Sequence, residues 1–228
     1  MKKALRVCVG LVVVTLVAII GLLVWPTPTT QQFKAGDYKY ALDFSVELDD
    51  DIPVMSQRTG YTCGIVSMAL LRTFLGVETD EDDLQAELGV TDRGTGFIPK
   101  DYLPYVNRTL EQTPFSIVQL NPTSEAEILN VITESLMDRR PVVIFYSAID
   151  DWNKPNWNTH YALVYGLDMN TQTIKISNPY GYLQTLTFED LFDGLSFASY
   201  EDEPLGFLLG RKVRTIAPNN LFIITQDR

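Results

Sequence analysis

The chain has 228 residues, of which 46% are hydrophobic and 21% charged. That composition suits one globular domain with its own core and excludes a disordered, collagen-like or coiled-coil chain. With 18 basic and 29 acidic residues the net charge is −11, the wrong sign for a nucleic-acid partner, and 2 cysteines and 1 histidine exclude a disulfide scaffold and a multi-histidine zinc site.

Met1 to Arg6 carries Lys2, Lys3 and Arg6 and no acid. Val7 to Trp25 is then apolar except for Gly10, Thr15 and Gly21. As a helix it would be about 28 Å long, close to the hydrocarbon thickness of a bilayer. Trp25 falls where an interfacial aromatic is expected. A cleaved signal peptide is the rival reading, but Ile20 to Trp25 offers no small-residue cleavage site. We therefore expect residues 1–6 to be a cytoplasmic stub, 7–25 a signal-anchor, 26–36 a linker, and 37–228 an extracytoplasmic body. That body holds one cysteine, Cys63, so it has no intramolecular disulfide to form.

Phe33 to Leu48 mixes aromatics and charges, and reads as an edge strand or a surface wrap. Glu47, Asp49, Asp50 and Asp51 form an acidic turn without the central glycine of a calcium loop. Cys63 to Leu75 is apolar on nearly every face and predicts a buried helix, stopped at Gly76. Thr79 and Asp82 have capping-box spacing before a helix over Asp80 to Leu88. Asp92 to Gly96 is a glycine loop without the Lys-Ser/Thr of a phosphate loop. Pro99 opens another helix, to Arg108.

Phe115 to Leu120 alternates as a strand. Ser124 and Glu127 begin a helix carrying Ile128, Val131, Ile132, Ser135 and Leu136. Pro141 to Ser147 is a short buried strand. Tyr161 to Leu167 and Thr173 to Ile176 make a hairpin across the turn residues Asp168 to Gln172. Phe188 to Phe192 suggests a short helix, and Leu221 to Thr225 a last strand. Helices followed by mostly antiparallel strands predict an α+β domain in two parts.

Four residues carry candidate chemistry. Cys63 opens the buried helix, where unpaired N–H groups and the helix dipole favour thiolate, the nucleophilic form. His160 precedes the hairpin at the mouth of its first strand, with Trp152 and Trp157 in the polar loop before it. A histidine there can take and return a proton. If the turn centres near Asn170–Thr171, His160 lies opposite about Gly181, with Asn178 about three positions along. An amide oxygen from Asn178 could then hold the imidazole tautomer. Gln57 lies six residues before Cys63, and its side-chain amide, with the Cys63 N–H, could form an oxyanion hole. There is no Gly-x-Ser-x-Gly elbow and no metal motif.

This order of residues resembles the papain-like cysteine peptidases, and more closely the bacteriocin-processing, double-glycine leader peptidases and their stand-alone relatives. The matching stretches are Gln57–Gly76, Arg140–Val143, His160–Asp168, Ile174–Gly181 and Phe188–Phe192. The resemblance implies a papain-like peptidase domain over 37–228 that cleaves a peptide or protein substrate through a thioester acyl-enzyme. It implies Cys63 as nucleophile, His160 as base and acid, Asn178 as orienting residue, Gln57 as oxyanion donor, and no cofactor. Two features depart from the leader peptidases. They usually carry aspartate where this chain has Asn178, and their best-known members are fused to exporters, whereas here an anchor precedes the domain. Acyl transfer by the same thiol and a silent peptide-binding module are the alternatives.

Overall fold

The computed structural model describes residues 11–21, 29–48, 51–91, 99–148, 159–197, 205–212 and 216–226. The ends of the predicted anchor, Pro26 to Pro28, Asp49 and Asp50, the glycine loop at Asp92 to Gly96, and Trp152 and Trp157 lie outside the described residues. Residues 11–21 are helical (α1). Among the described residues no helix is long and apolar enough to cross a membrane.

The predicted linker is anchored to the body from residue 30 onward. Gln31 forms a parallel bridge with Ser124, Thr30 meets Asn219, and the Phe33 N–H donates to Glu125 at 2.6 Å. The stretch from Phe33 to Leu48 both wraps and pairs. It contains a 3-10 turn at Ala35–Asp37 and the strand β1, Ser45–Glu47.

Helix α2 spans Cys63–Phe74 and is buried from Cys63 to Leu71. Gly76 ends it because its φ of +86° is open to glycine. The Gly76 and Val77 N–H groups cap the carbonyls of Thr73 and Arg72 at 3.0 and 2.9 Å. Helix α3, Glu81–Leu88, is capped by Asp80, which accepts from the Asp83 N–H at 2.7 Å. The box expected at Thr79 is therefore shifted by one residue, since the Thr79 hydroxyl is used on the Val77 carbonyl. Helix α4, Pro99–Thr109, opens with its proline as expected. Helix α5, Glu125–Met137, is capped by Ser124, while the Glu127 carboxylate reaches Thr123 instead of closing the box.

The strands are β2 (Phe115–Leu120), β3 (Val142–Ser147), β4 (Thr159–Asp168), β5 (Thr173–Asn178), β6 (Tyr182–Thr187) and β7 (Asn220–Gln226). They form one antiparallel sheet in the order β2-β7-β3-β4-β5-β6, and β1 pairs with β4 just beyond the start of β3. Strand β6 and helix α7, Leu205–Lys212, are additions to the expected elements, and helix α6 runs longer than expected, over Phe188–Ser196. Thr187 and Asp190 make the α6 capping box.

Alternation along the strands splits the core into two layers. Val143, Phe145, Tyr161, Leu163 and Phe222 face α2, α3 and α4. Ile144, Tyr146, Ala162, Val164 and Leu221 face α5 and α6. The expected N-terminal helical part, α2 to α4, thus covers one face of the expected antiparallel sheet, and α5 and α6 cover the other.

Strand β4 is interrupted. On the turn side Gly166 pairs with Lys175, but beyond it Val164 pairs with Ile176 and Leu163 with Ser177. Tyr165 is the extra residue of a β-bulge. Without it the register would put His160 opposite Gly181, as the hairpin pattern suggested. With it, continuing the register puts His160 opposite Tyr180 and Asn178 opposite Ala162.

Helix α6 crosses the end of β3 closely. A Cβ at Gly194 would lie 2.9 Å from the Ser147 carbonyl oxygen and 3.1 Å from the Tyr146 ring. Gly194→Ala is expected to destabilise the fold by about 1–3 kcal/mol through overpacking, measurable by urea unfolding.

Candidate active site

The four predicted residues sit on three pieces of backbone: the loop before α2 with that helix's first residue, the start of β4, and the end of β5. The bulge decides which face Asn178 presents. A one-residue slip turns every side chain over, and the shifted register puts Asn178 on the face of His160 and Ala162. His160 is buried, at 1% exposure, in the second position of β4. It is therefore inside the strand and buried, where its sequence context suggested the strand's mouth.

His160 Nε2 lies 2.9 Å from Asn178 Oδ1. The same oxygen accepts the Tyr180 backbone N–H at 2.9 Å. A backbone N–H is always a donor, so the atom it meets is the amide oxygen and not the nitrogen. His160 Nε2 must then carry the proton in that bond. In the neutral ring this leaves Nδ1 unprotonated. Tyr180 also stacks on the imidazole, with centroids 4.4 Å apart and planes 15° apart. Tyr146 meets its edge at 6.0 Å.

Cys63 is buried at 8% exposure and is a free thiol. Its sulfur accepts the backbone N–H of Tyr161, so it rests against the peptide link that joins His160 to Tyr161. The N–H groups of Gly64 and Cys63 itself also favour thiolate, as expected at a helix N-terminus. Burial outweighs them and pushes the thiol up to about 11. The sequence-based expectation of a stabilised thiolate is thus reversed: desolvation of the charged form is the larger effect. Below the sulfur, Tyr102 and Tyr161 stack at 4.3 Å, and Ser67 joins the Tyr102 hydroxyl at 3.0 Å.

Gln57 is held by both neighbours of the site. Its N–H donates to the Pro179 carbonyl at 2.6 Å, next to Asn178. Its side-chain Nε2 donates to the Thr59 carbonyl at 2.7 Å, which also receives the Thr62 N–H just before Cys63. An amide nitrogen has two hydrogens, so one remains. Gln57 Oε1 is buried with no partner among the described residues. Ser56 bridges Tyr180, and a Cβ at Gly181 would meet the Ser56 Cβ at 2.9 Å. Gly181 also has a φ of +91°, so it is fixed as glycine twice over.

Residues missed from sequence are Tyr180, Tyr146 and Gln184, the last accepting from Asn178 Nδ2 at 2.8 Å. Tyr180 stood inside the Asn178–Gly181 motif and was legible as a neighbour. Gln184 was not, because β6 was not recognised as a strand. Among the described residues no cluster of histidine, cysteine and acidic groups could hold a metal ion.

A buried cysteine opening a helix against an antiparallel sheet, with histidine and asparagine bonded across adjacent strands, defines a papain-like cysteine peptidase domain. The profile of the Peptidase_C39 like family matches residues 49–199, and the chain belongs to that family of cysteine-type peptidases. Among curated proteins no sequence matches. Among solved structures, a C39-like peptidase from Bacillus anthracis is similar at TM-score 0.53 and 16% identity, over 81% of this chain and 98% of that one. A double-glycine motif protease from an AMS/PCAT transporter, solved with its leader peptide, gives 0.49 and 12%, over 80% and 99%. The peptidase domain of Streptococcus ComA, a bifunctional transporter of a quorum-sensing pathway, gives 0.47 and 12%, over 77% and 98%. At these identities the likeness concerns the fold.

With its thiol at about 11, Cys63 should be thiolate in about one molecule in ten thousand at pH 7. Its alkylation by iodoacetamide should therefore rise about tenfold per pH unit past pH 9. A plateau reached near neutrality would contradict this.

Proposed function

We propose that this protein is an extracytoplasmic, membrane-anchored peptidase that cleaves a peptide bond through a Cys63 thioester. The observation that carries this reading is the His160–Asn178 bond, because it leaves His160 Nδ1 unprotonated on the residue next to Tyr161, whose backbone N–H meets the Cys63 sulfur. The resting thiol is neutral, so proton transfer and attack belong to one step. Nδ1 takes the thiol proton as the sulfur bonds to the substrate carbonyl carbon. The Cys63 N–H and the remaining Gln57 N–H stabilise the oxyanion. The imidazolium then returns the proton to the leaving amine as the C–N bond breaks. Water, deprotonated by Nδ1, releases the acyl group and restores the thiol.

The placement of Gln57 supports this role: its Nε2 lies on the Thr59 carbonyl that also receives the Thr62 N–H just before Cys63. Anchoring is supported by α1, where Leu11, Val12, Val13, Val14, Leu16, Val17, Ile19 and Ile20 are all exposed. So large an apolar surface calls for a nonpolar partner, and the basic residues before it favour an N-terminus in the cytoplasm. Peptide substrates are supported by the leader-peptide complex of the transporter protease.

A second reading, a silent peptide-binding module, is favoured by one observation, the buried neutral thiol. A digest of a diverse peptide library by the full chain, read by mass spectrometry, separates the two. Cleavage should fall to background in Cys63→Ala, by about 10²–10⁴ in His160→Ala and by about 10²–10³ in Gln57→Ala. Cleavage that persists in Cys63→Ala ends the thiol mechanism.

A further inference from the structure

We infer that Gln184, on the edge strand β6, is a positioning residue that fixes the tautomer of His160 through Asn178. This rests on the reading of His160 as the working base. Three side chains stand in line across three neighbouring strands: His160 on β4, Asn178 on β5 and Gln184 on β6. Asn178 pairs with Tyr182 in the β5–β6 ladder and Ile176 pairs with Gln184. Gln184 is therefore two residues from the position opposite Asn178, on the same face.

The contacts set the direction of every bond in this line. The Tyr180 N–H fixes Asn178 Oδ1 toward His160. Asn178 Nδ2 is then a donor, and the atom it meets on Gln184 is Oε1, at 2.8 Å. A carboxylate facing the imidazole would accept from it in either rotamer. A carboxamide accepts only when its oxygen faces the ring, and turning it over would set N–H against N–H. Asn178 is buried at 2% exposure, so a turned amide could not be rescued by water. Tyr180 opposes the turn from the oxygen side and Gln184 from the nitrogen side. An amide that donates to Gln184 also carries more negative charge on its oxygen, which strengthens its hold on Nε2–H. The need for Gln184 follows from having asparagine, and not aspartate, at position 178.

His160 is the only histidine of the chain, so its ring can be read directly. The test uses the full chain labelled with ¹⁵N-histidine, in detergent, at a pH about two units above the usual imidazole value of ~6.5. Long-range ¹H–¹⁵N correlation should give the Nε2–H pattern in the wild type. Gln184→Leu and Gln184→Met remove the acceptor at a half-exposed position. In each, the ratio of Nε2–H to Nδ1–H forms should fall about fivefold, the effect of one ordinary hydrogen bond. Gln184→Glu keeps an acceptor and should keep the wild-type pattern, which a purely structural role would not require.

The inference is overturned if a folded Gln184→Leu or Gln184→Met chain keeps the wild-type pattern. It is also overturned if Gln184→Glu loses that pattern, or if the wild-type ring carries its proton on Nδ1. No substrate enters this measurement. Persistent cleavage by Cys63→Ala would therefore end the peptidase reading without touching the tautomer result, and the reverse also holds.

Discussion

The site depends on one extra residue. Tyr165 bulges from β4 and shifts the β4–β5 register by one between Val164 and Gly166. On the turn side of the bulge the hairpin follows the spacing that its Asp168–Gln172 turn dictates. On the far side the parity is reversed, and Asn178 turns onto the face of His160. An unbroken hairpin would be no less able to form a sheet, but it would leave His160 and Asn178 on opposite faces. Gly166 sits beside the bulge with Lys175 and Glu47 packed against the space a Cβ would take, at 3.3 and 3.4 Å. Lys175 and Glu47 themselves pair at 2.5 Å across β5 and β1. The short strand β1 thus braces β4 at the place where its regular pairing fails.

The second constraint is the contest between burial and helix-end electrostatics at Cys63. N–H groups of Cys63, Gly64 and Tyr161 all favour the thiolate, yet burial is larger and raises the thiol to about 11. A neutral partner for His160 fits this balance. A carboxylate at position 178 would favour imidazolium. Asn178 holds the ring without supplying that charge. The neutral thiol of Cys63 and the neutral amide of Asn178 place no negative charge in the site.

Much of this was legible in the sequence, and the failures share a cause. Helix α2, with its stop at Gly76, and the strands β2, β3 and β7 follow from local periodicity and turn chemistry. Cys63, His160, Asn178 and Gln57 could be picked out by residue type and order. The bulge could not, because Tyr165 is as good a strand residue as its neighbours, and only pairing with β5 makes it extra. The burial of His160 was hidden for a similar reason: it is covered by Tyr180, from the turn between β5 and β6, and by Tyr146, from β3. Strand β6 alternates poorly, with Tyr182 and Leu183 both exposed, so its role as the outer rail of the site was invisible. The capping shift from Thr79 to Asp80 is the ordinary ambiguity of adjacent polar residues.

Loop geometry explains why the oxyanion candidate belongs to the same unit as the base, although about a hundred residues of chain separate them. The Ser56–Tyr180 bridge and the Gln57 N–H bond to Pro179 tie the loop before α2 to the segment after β5. That segment also supplies the Tyr180 N–H that orients Asn178. The loop's other side is fixed to α3, where Arg58 pairs with Asp82 and its backbone N–H meets buried Glu81 at 3.0 Å. Moving Gln57 therefore strains the same backbone that sets the tautomer of His160. Gln57 and His160, each tied to the Asn178–Gly181 segment, cannot drift independently. That coupling gives a physical reason for the tight Ser56–Gly181 approach, where glycine is the one residue that fits.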